Sequence, residues 1–97
     1  MENFKINDMD MLFNSDGVTK LVSPSNGTDY SLEELQGFVG GYIEIVRLGT
    51  NKVMVINEEG KIRNLPLNIK ATGIIQLHGR NDVIVGNALV CSTDKIK

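Results

Sequence analysis

With 97 residues, 41% hydrophobic and 23% charged, the chain is long enough for one globular domain with a modest core. Its net charge of −2 excludes a strongly basic surface that would bind nucleic acid nonspecifically. The sequence has no apolar run near the roughly 20 residues that span a bilayer, and residues 1–5 lack the features of a secretory signal. We therefore expect a cytoplasmic protein.

A loose lead-in at residues 1–10 and a β-hairpin are the first predicted features. Strands at residues 11–13 and 18–22 flank a polar loop. This loop ends in the step Asp16-Gly17, which suits a hairpin turn with positive φ.

A short helix is predicted after Ser31. Glu34 follows Ser31 at the spacing of a capping box, which marks a helix N-terminus. Tyr30 and Leu35 have the spacing of a hydrophobic staple at the same end. The glycine pair at residues 40–41 ends the helix.

A second hairpin is predicted from strands at residues 42–48 and 53–56. The segment at residues 57–60 is a tight turn, and residues 61–63 are predicted to add a brief strand. A second helix is then expected from about residue 67 to residue 77, after Pro66.

The last predicted element is a strand at residues 82–91, which we expect to be the most buried one, followed by a polar tail at residues 92–97. Gly86 and Asn87 interrupt its apolar run. We interpret them as a bulge in which Asn87 bonds to the backbone. The alternative is that Asn87 contributes to a pocket or a subunit interface.

One cysteine and one histidine limit the available chemistry. A lone Cys91 excludes an internal disulfide, and there is no Cys/His cluster for zinc. We interpret Cys91 as a small core side chain at the end of a strand. A nucleophile–base pair of Cys91 with His78 is the alternative.

Together these elements predict an α+β fold, with an antiparallel sheet of five to six strands and two helices packed on one face. Residues 11–91 form a single α+β domain between the lead-in and the tail. A partly open barrel and a dimer swapped through the N-terminal hairpin are the two rival architectures.

Five motifs in order, SLEELQ, GGYIEIV, NEEGK, LPxNxxAT and DVIVGNALV, resemble a family of small domains of unknown function. Such domains are carried by bacteriophages, plasmids and integrated elements of gut Bacteroidetes and Firmicutes. The resemblance covers about residues 30–91. It implies a mobile-element setting and an α+β fold, and it implies no chemistry.

The densest polar cluster lies at the turn of residues 57–60 and just after it. In one interpretation, Asn57 and Gly60 satisfy the turn geometry and the carboxylates point into water. In the other, the turn is the mouth of a ligand pocket. Asn57 would supply an amide, Lys61 and Arg63 would contact phosphate, and the start of the second helix would offer N–H groups.

Other candidate contacts come from a strand face and a loop. Tyr42 and Glu44 share one face of a predicted strand, where an exposed Tyr42 ring would stack on a base and a buried one would pack in the core. His78 and Arg80 are candidate anion contacts. No catalytic residue, metal ligand or cofactor is predicted. The candidate ligand-binding residues are Tyr42, Glu44, Asn57, Glu58, Lys61, Arg63, Asn68, His78 and Arg80.

We expect a non-enzymatic protein of a phage or mobile element that binds a small ligand. It would sequester an anionic nucleotide second messenger of bacterial anti-phage defence and act as a homo-oligomer. The alternative is a protein-interaction module that inhibits a host enzyme, which predicts an exposed apolar patch. An enzyme ranks last because no nucleophile–base or metal set is visible. Neither a membrane nor nucleic acid is an expected partner.

Overall fold

The computed structural model describes residues 10–96 as an α+β domain with a five-stranded antiparallel sheet. The strands run in the order β2-β1-β5-β4-β3, so the described sheet is open and β2 and β3 lie at its edges. The predicted class, with five antiparallel strands and two helices, is confirmed. The elements are β1 (Asp10–Phe13), β2 (Thr19–Val22), α1 (Leu32–Val39), β3 (Ile43–Leu48), β4 (Lys52–Asn57), α2 (Ile69–Leu77) and β5 (Ala88–Ser92).

Both predicted hairpins form. In the first, β1 pairs with β2, and Gly17 ends the loop with a φ of 95°. In the second, β3 pairs with β4 from Ile43 opposite Asn57 to Leu48 opposite Lys52. Strand β5 lies between the two hairpins and pairs with β1 and β4, so it joins them into one sheet.

The start of α1 has the predicted capping box. The Ser31 hydroxyl accepts from the Glu34 N–H at 3.1 Å, and the Glu34 carboxylate accepts from the Ser31 N–H at 2.9 Å. Hydrogen bonds from the backbone N–H groups of Ser31 and Ser25 hold the pKa of Glu34 below its usual range. Gly40 ends the helix in the left-handed conformation, and its N–H donates to the Gln36 carbonyl.

The two helices lie on opposite faces of the sheet, so the predicted placement of both on one face is wrong. Along β4, Val53 and Val55 pack with the α1 side chains, whereas Met54 packs with Ala71 and Ile75 of α2. Successive strand side chains point to opposite faces. Because residues 53–56 are apolar at every position, both faces of this strand need a cover.

Two predicted strand segments are wrong. Residues 61–63, predicted as a brief strand, lie in a turn. Of the strand predicted at residues 82–91, only the part from Ala88 onward is in the sheet. Gly86 turns the chain before it with a φ of 78°, and Val85 makes an isolated bridge with Leu67 instead.

Asn87 bonds to the backbone as predicted, but it lies just before the strand and not in a bulge. Its side-chain oxygen accepts from the Ser15 N–H at 2.9 Å. Its amide nitrogen donates to the Phe38 carbonyl at 3.3 Å. The side chain therefore ties the β1–β2 loop to the last turn of α1 beside the start of β5.

The C-terminal residues contact the start of β1. Residues Thr93–Lys95 form a short 3-10 turn where a polar tail was predicted. The Lys95 ammonium donates to the Asp10 carboxylate at 3.0 Å, and the Tyr30 hydroxyl donates to the same carboxylate. The predicted lead-in lies outside the described residues except for Asp10, and Lys97 of the tail also lies outside them. Among the described residues, no helix is long and apolar enough to cross a membrane.

Gly73 and Gly41 are expected to respond oppositely to alanine. A Cβ at Gly73 meets nothing within 4 Å, so Gly73→Ala should raise the free energy of unfolding by about 1 kcal/mol through helix propensity. A Cβ at Gly41 would lie 2.9 Å from the Asn57 amide nitrogen, so Gly41→Ala should lower it by about 1–3 kcal/mol. Urea titration of both variants checks this, with Gly37→Ala, also in open space, as the control for Gly41. Equal unfolding midpoints for Gly73→Ala and Gly41→Ala would contradict this prediction.

Candidate functional site

A pocket of about 450 Å³ lies beside β3 and β4, on the face of the sheet that α2 covers. Its walls come from these two strands, the turn after β4, α2 and the segment between α2 and β5. The lining residues are Glu44, Val46, Ile56, Asn57, Glu58, Lys61, Ile62, Ile75, Arg80, Asn81, Asp82, Val83, Ile84 and Val85.

The interior of the pocket is apolar and its rim is charged. Val46, Ile75 and Ile84 are buried core side chains that also line the pocket. The charged lining residues are all exposed, and they comprise three carboxylates and two cations. Ligand pockets commonly combine an apolar wall with a few polar groups that orient the ligand. This arrangement fits a small molecule with an apolar body and a polar end.

Lys61 and Asp82 form an ion pair across two walls of the pocket, with 2.6 Å between ammonium and carboxylate. The Asp82 carboxylate also accepts from the Val83 N–H. The hydrogen bond from Lys61 is the main reason that the pKa of Asp82 lies below its usual range. Both side chains are 58% exposed, so the pair adds little to stability. Its consequence for the site is that the charge of Lys61 is already compensated.

Glu44, Glu58 and Arg80 carry the remaining charges of the rim. Within residues 10–96, none of these three side chains has a hydrogen-bonding or ion-pairing partner. Two carboxylates and one guanidinium are therefore available to a ligand.

Five of the nine candidate residues line this pocket, namely Glu44, Asn57, Glu58, Lys61 and Arg80. The structure places the other four, Tyr42, Arg63, Asn68 and His78, outside the lining. Tyr42 precedes β3 and is 63% exposed, so its ring is not packed in the core.

The Asn57 side chain stabilises the turn that follows β4, which is the first of the two interpretations of this residue. Its oxygen accepts from the Glu59 N–H at 2.8 Å, and its nitrogen donates to the Val39 carbonyl at 3.1 Å. Arg63 reaches the end of α1, where its guanidinium donates to the Gly40 carbonyl at 3.3 Å. Because Lys61 instead pairs with Asp82, the structure does not form a phosphate site from Lys61 and Arg63.

Asn68 and His78 are the two cap residues of α2. Asn68 is only 1% exposed, and its side chain bonds to three backbone groups. His78 is exposed at the C-terminal end, and its ring nitrogen Nδ1 lies 2.9 Å from the Ile74 carbonyl oxygen. Neither position brings its side chain to the pocket.

Cys91 and His78 do not form a nucleophile–base pair. Cys91 is fully buried in the core beneath α1, whereas His78 is exposed at the end of α2 on the opposite face. Burial raises the pKa of the Cys91 thiol to about 12. The interpretation of Cys91 as a core side chain is confirmed.

The apolar interior of the pocket and Asp82 were missed from the sequence. The interior residues come from β3, β4, α2 and the segment before β5, and their pattern is that of ordinary core positions. Asp82 has no motif of its own and is defined by its partner Lys61, 21 positions away. Within the described part of the chain, no group of three or more His, Cys, Asp or Glu is placed to hold a metal ion.

A comparison with protein families finds a match over residues 6–97 to a domain of unknown function, DUF3846. The chain belongs to this family. The match spans nearly all of the chain and is consistent with the small uncharacterised domain that the motifs predicted. No curated protein and no solved structure matches the chain. The pocket is therefore the feature of this DUF3846 domain from which a function can be inferred.

Proposed function

We propose that this DUF3846 domain is a non-enzymatic binding protein whose site is the pocket between the β3–β4 hairpin and α2. The observation that supports this is the combination of a volume of about 450 Å³, an apolar interior and unpaired charges at the rim. Such a volume is within the range of small-molecule sites.

The specific hypothesis from the sequence is the sequestration of an anionic nucleotide messenger by a phage or mobile-element protein, acting as a homo-oligomer in the cytoplasm. Arg80 is the available cation for such a ligand, and Lys61 becomes a second one when it leaves Asp82. The hypothesis therefore requires that binding break the Lys61–Asp82 pair.

Blocking the pocket is the direct test of ligand binding. Asn81 is an exposed lining residue, so Asn81→Trp is expected to fill the mouth without disturbing the core. Native mass spectrometry with a panel of cyclic nucleotides, ADP-ribose isomers, amines and amino acids should show a retained ligand on the wild type. We expect Asn81→Trp to weaken its binding at least about tenfold, a loss of about 1.4 kcal/mol.

The matched control is Lys20→Trp, which places the same side chain on the exposed strand β2 at the far edge of the sheet. This variant should bind as the wild type does. Equal binding by the two tryptophan variants would contradict the assignment of the site. Conversion of a ligand to a new mass would contradict the non-enzymatic proposal.

Protein interaction is a second candidate function, and exposed apolar side chains favour it. Ile62, Ile69 and Leu77 are 84%, 76% and 87% exposed. Two of them lie on α2, whose buried residues are Ala71 and Ile75 on its other side. Exposed apolar side chains mark a contact surface where they form a contiguous patch. A protein that retains no ligand from the whole panel would favour this function over the pocket.

A further inference from the structure

The two unpaired carboxylates of the pocket are diagonal neighbours on one face of the β3–β4 hairpin. Glu44 lies opposite Ile56 in the register, and the Glu58 N–H donates to the Tyr42 carbonyl at 2.8 Å just beyond the last pair, Ile43 and Asn57. Side chains two positions apart on a strand share a face. Glu44 and Glu58 both line the pocket, so they lie on the same side of the hairpin.

This arrangement concentrates negative charge at the mouth of the pocket. Like charges at neighbouring positions of a sheet repel each other. Within residues 10–96 no cation bonds to either carboxylate: Lys61 is paired with Asp82, and Arg80 lines the pocket without contacting them. A ligand cation at this end of the pocket would remove the repulsion and form charge-assisted hydrogen bonds with both carboxylates.

Tyr42 adds an aromatic group next to the same two carboxylates. Tyr42 lies two positions before Glu44, just outside β3 and the pocket lining, and its carbonyl accepts from the Glu58 N–H. Its side chain is 63% exposed, which leaves the ring accessible. The face of an aromatic ring attracts an ammonium or guanidinium group. The carboxylates and the ring therefore favour the same kind of ligand group.

From this geometry we infer that the ligand carries an ammonium group on an apolar body; the inference rests on the proposed function of the pocket. The ammonium group binds between Glu44, Glu58 and Tyr42. The apolar body lies along the interior formed by Val46, Ile56 and the neighbouring isoleucines. The Arg80 guanidinium can bind a separate anionic group of the same ligand. This charge pattern disfavours a ligand that is anionic throughout, such as a cyclic dinucleotide.

Three probes with the same apolar body and different charges test the inference: 4-phenylbutylamine, 4-phenylbutanol and 4-phenylbutyrate. Each is titrated into isotopically labelled protein while the backbone amide signals of the pocket residues are followed by NMR. We expect the amine to bind at least about tenfold more tightly than the alcohol, and the carboxylate to bind most weakly. Raising the salt concentration should reduce the preference for the amine.

Matched variants show which residues cause the preference for the amine over the alcohol. Glu44→Gln with Glu58→Gln should reduce the amine preference to about twofold or less, and Tyr42→Leu should weaken amine binding about threefold. The control Glu33→Gln with Glu59→Gln makes the same change in net charge at two exposed positions outside the pocket lining and should leave the preference unchanged.

Equal binding of amine and alcohol would overturn the ligand class and leave the pocket proposal standing. Tightest binding of the carboxylate would do the same and would favour the anionic ligand. A preference that survives in the Glu44 and Glu58 double variant would place the cation elsewhere and overturn the assignment. Unchanged pocket signals with all three probes would count against the ligand class and the proposed binding function together.

Discussion

Asn68→Ala is expected to lower the free energy of unfolding by about 3 kcal/mol. The Asn68 oxygen accepts from the Ala71 N–H at 3.0 Å and caps α2, and loss of such a cap costs about 1 kcal/mol. The amide nitrogen donates to the Phe13 and Gly86 carbonyls, both at 2.8 Å. Alanine leaves these groups without partners in a buried site, at about 1–3 kcal/mol.

Urea titration followed by circular dichroism measures this loss. Asn68→Asp keeps a cap acceptor but turns a carboxylate oxygen toward the two carbonyl oxygens in a buried site, so it should be destabilised at least as much. Asn26→Ala is the control, because among residues 10–96 Asn26 bonds only within its own exposed turn. It should cost less than about 1 kcal/mol. A midpoint for Asn68→Ala near that of Asn26→Ala would contradict the structural role of Asn68.

The same experiment bears on the sequence hypothesis that Asn68 contacts a ligand. A residue that holds together α2, β1 and the turn before β5 is expected to affect folding first. Any loss of ligand binding in Asn68→Ala should therefore follow the loss of folded protein. Loss of binding at unchanged stability would indicate that Asn68 contacts the ligand.

Alkaline pH is expected to destabilise the domain steeply from about pH 9 upward. Burial raises the pKa of Cys91 from about 9 to about 12. The unfolded chain therefore loses this proton first, and the stabilisation present below pH 9 is lost as the pH rises toward 12. The pKa of Tyr30 is also raised by burial, and next by its hydrogen bond to Asp10, so it acts in the same direction above about pH 10.

The full slope for one proton is roughly 1.4 kcal/mol per pH unit, and it is only half developed at pH 9, so Cys91 accounts for about 2 kcal/mol between pH 9 and pH 11. Thermal unfolding measured from pH 7 to pH 11 checks this. Cys91→Ala starts from a lower stability because it shrinks a core side chain, but it should lose less stability over the same range. Parallel curves for the two proteins would show that Cys91 does not cause the alkaline loss.

Local signals predicted the elements whose geometry depends on a few neighbouring residues. The capping box of Ser31 and Glu34 gave the start of α1, and Gly17 gave the first hairpin. These contacts join residues two to four positions apart, so both partners can be recognised in one short stretch of sequence. The same reasoning placed Cys91 in the core, because it directly follows the apolar residues 88–90.

Prediction failed where a distant partner decides the structure. The segment at residues 82–87 is apolar enough for a strand, but its neighbour in space is the chain before α2, to which Ile84 and Val85 are joined. The placement of the helices failed for a related reason. The apolar residues at positions 53–56 of β4 show that both faces need a cover, but not which helix supplies it.

For the candidate site, the sequence determined the charged side chains and the turn that presents them, since Glu58, Lys61 and Asn57 lie within five positions of one another. Only the tertiary structure decided how these charges are used. It pairs Lys61 with Asp82, turns Arg63 toward α1 and places Glu44 beside Glu58 over an apolar pocket. The reason is that charge and turn propensity are properties of neighbouring residues. A pocket and its unpaired charges result from strands and helices that are distant in sequence and meet only in the folded chain.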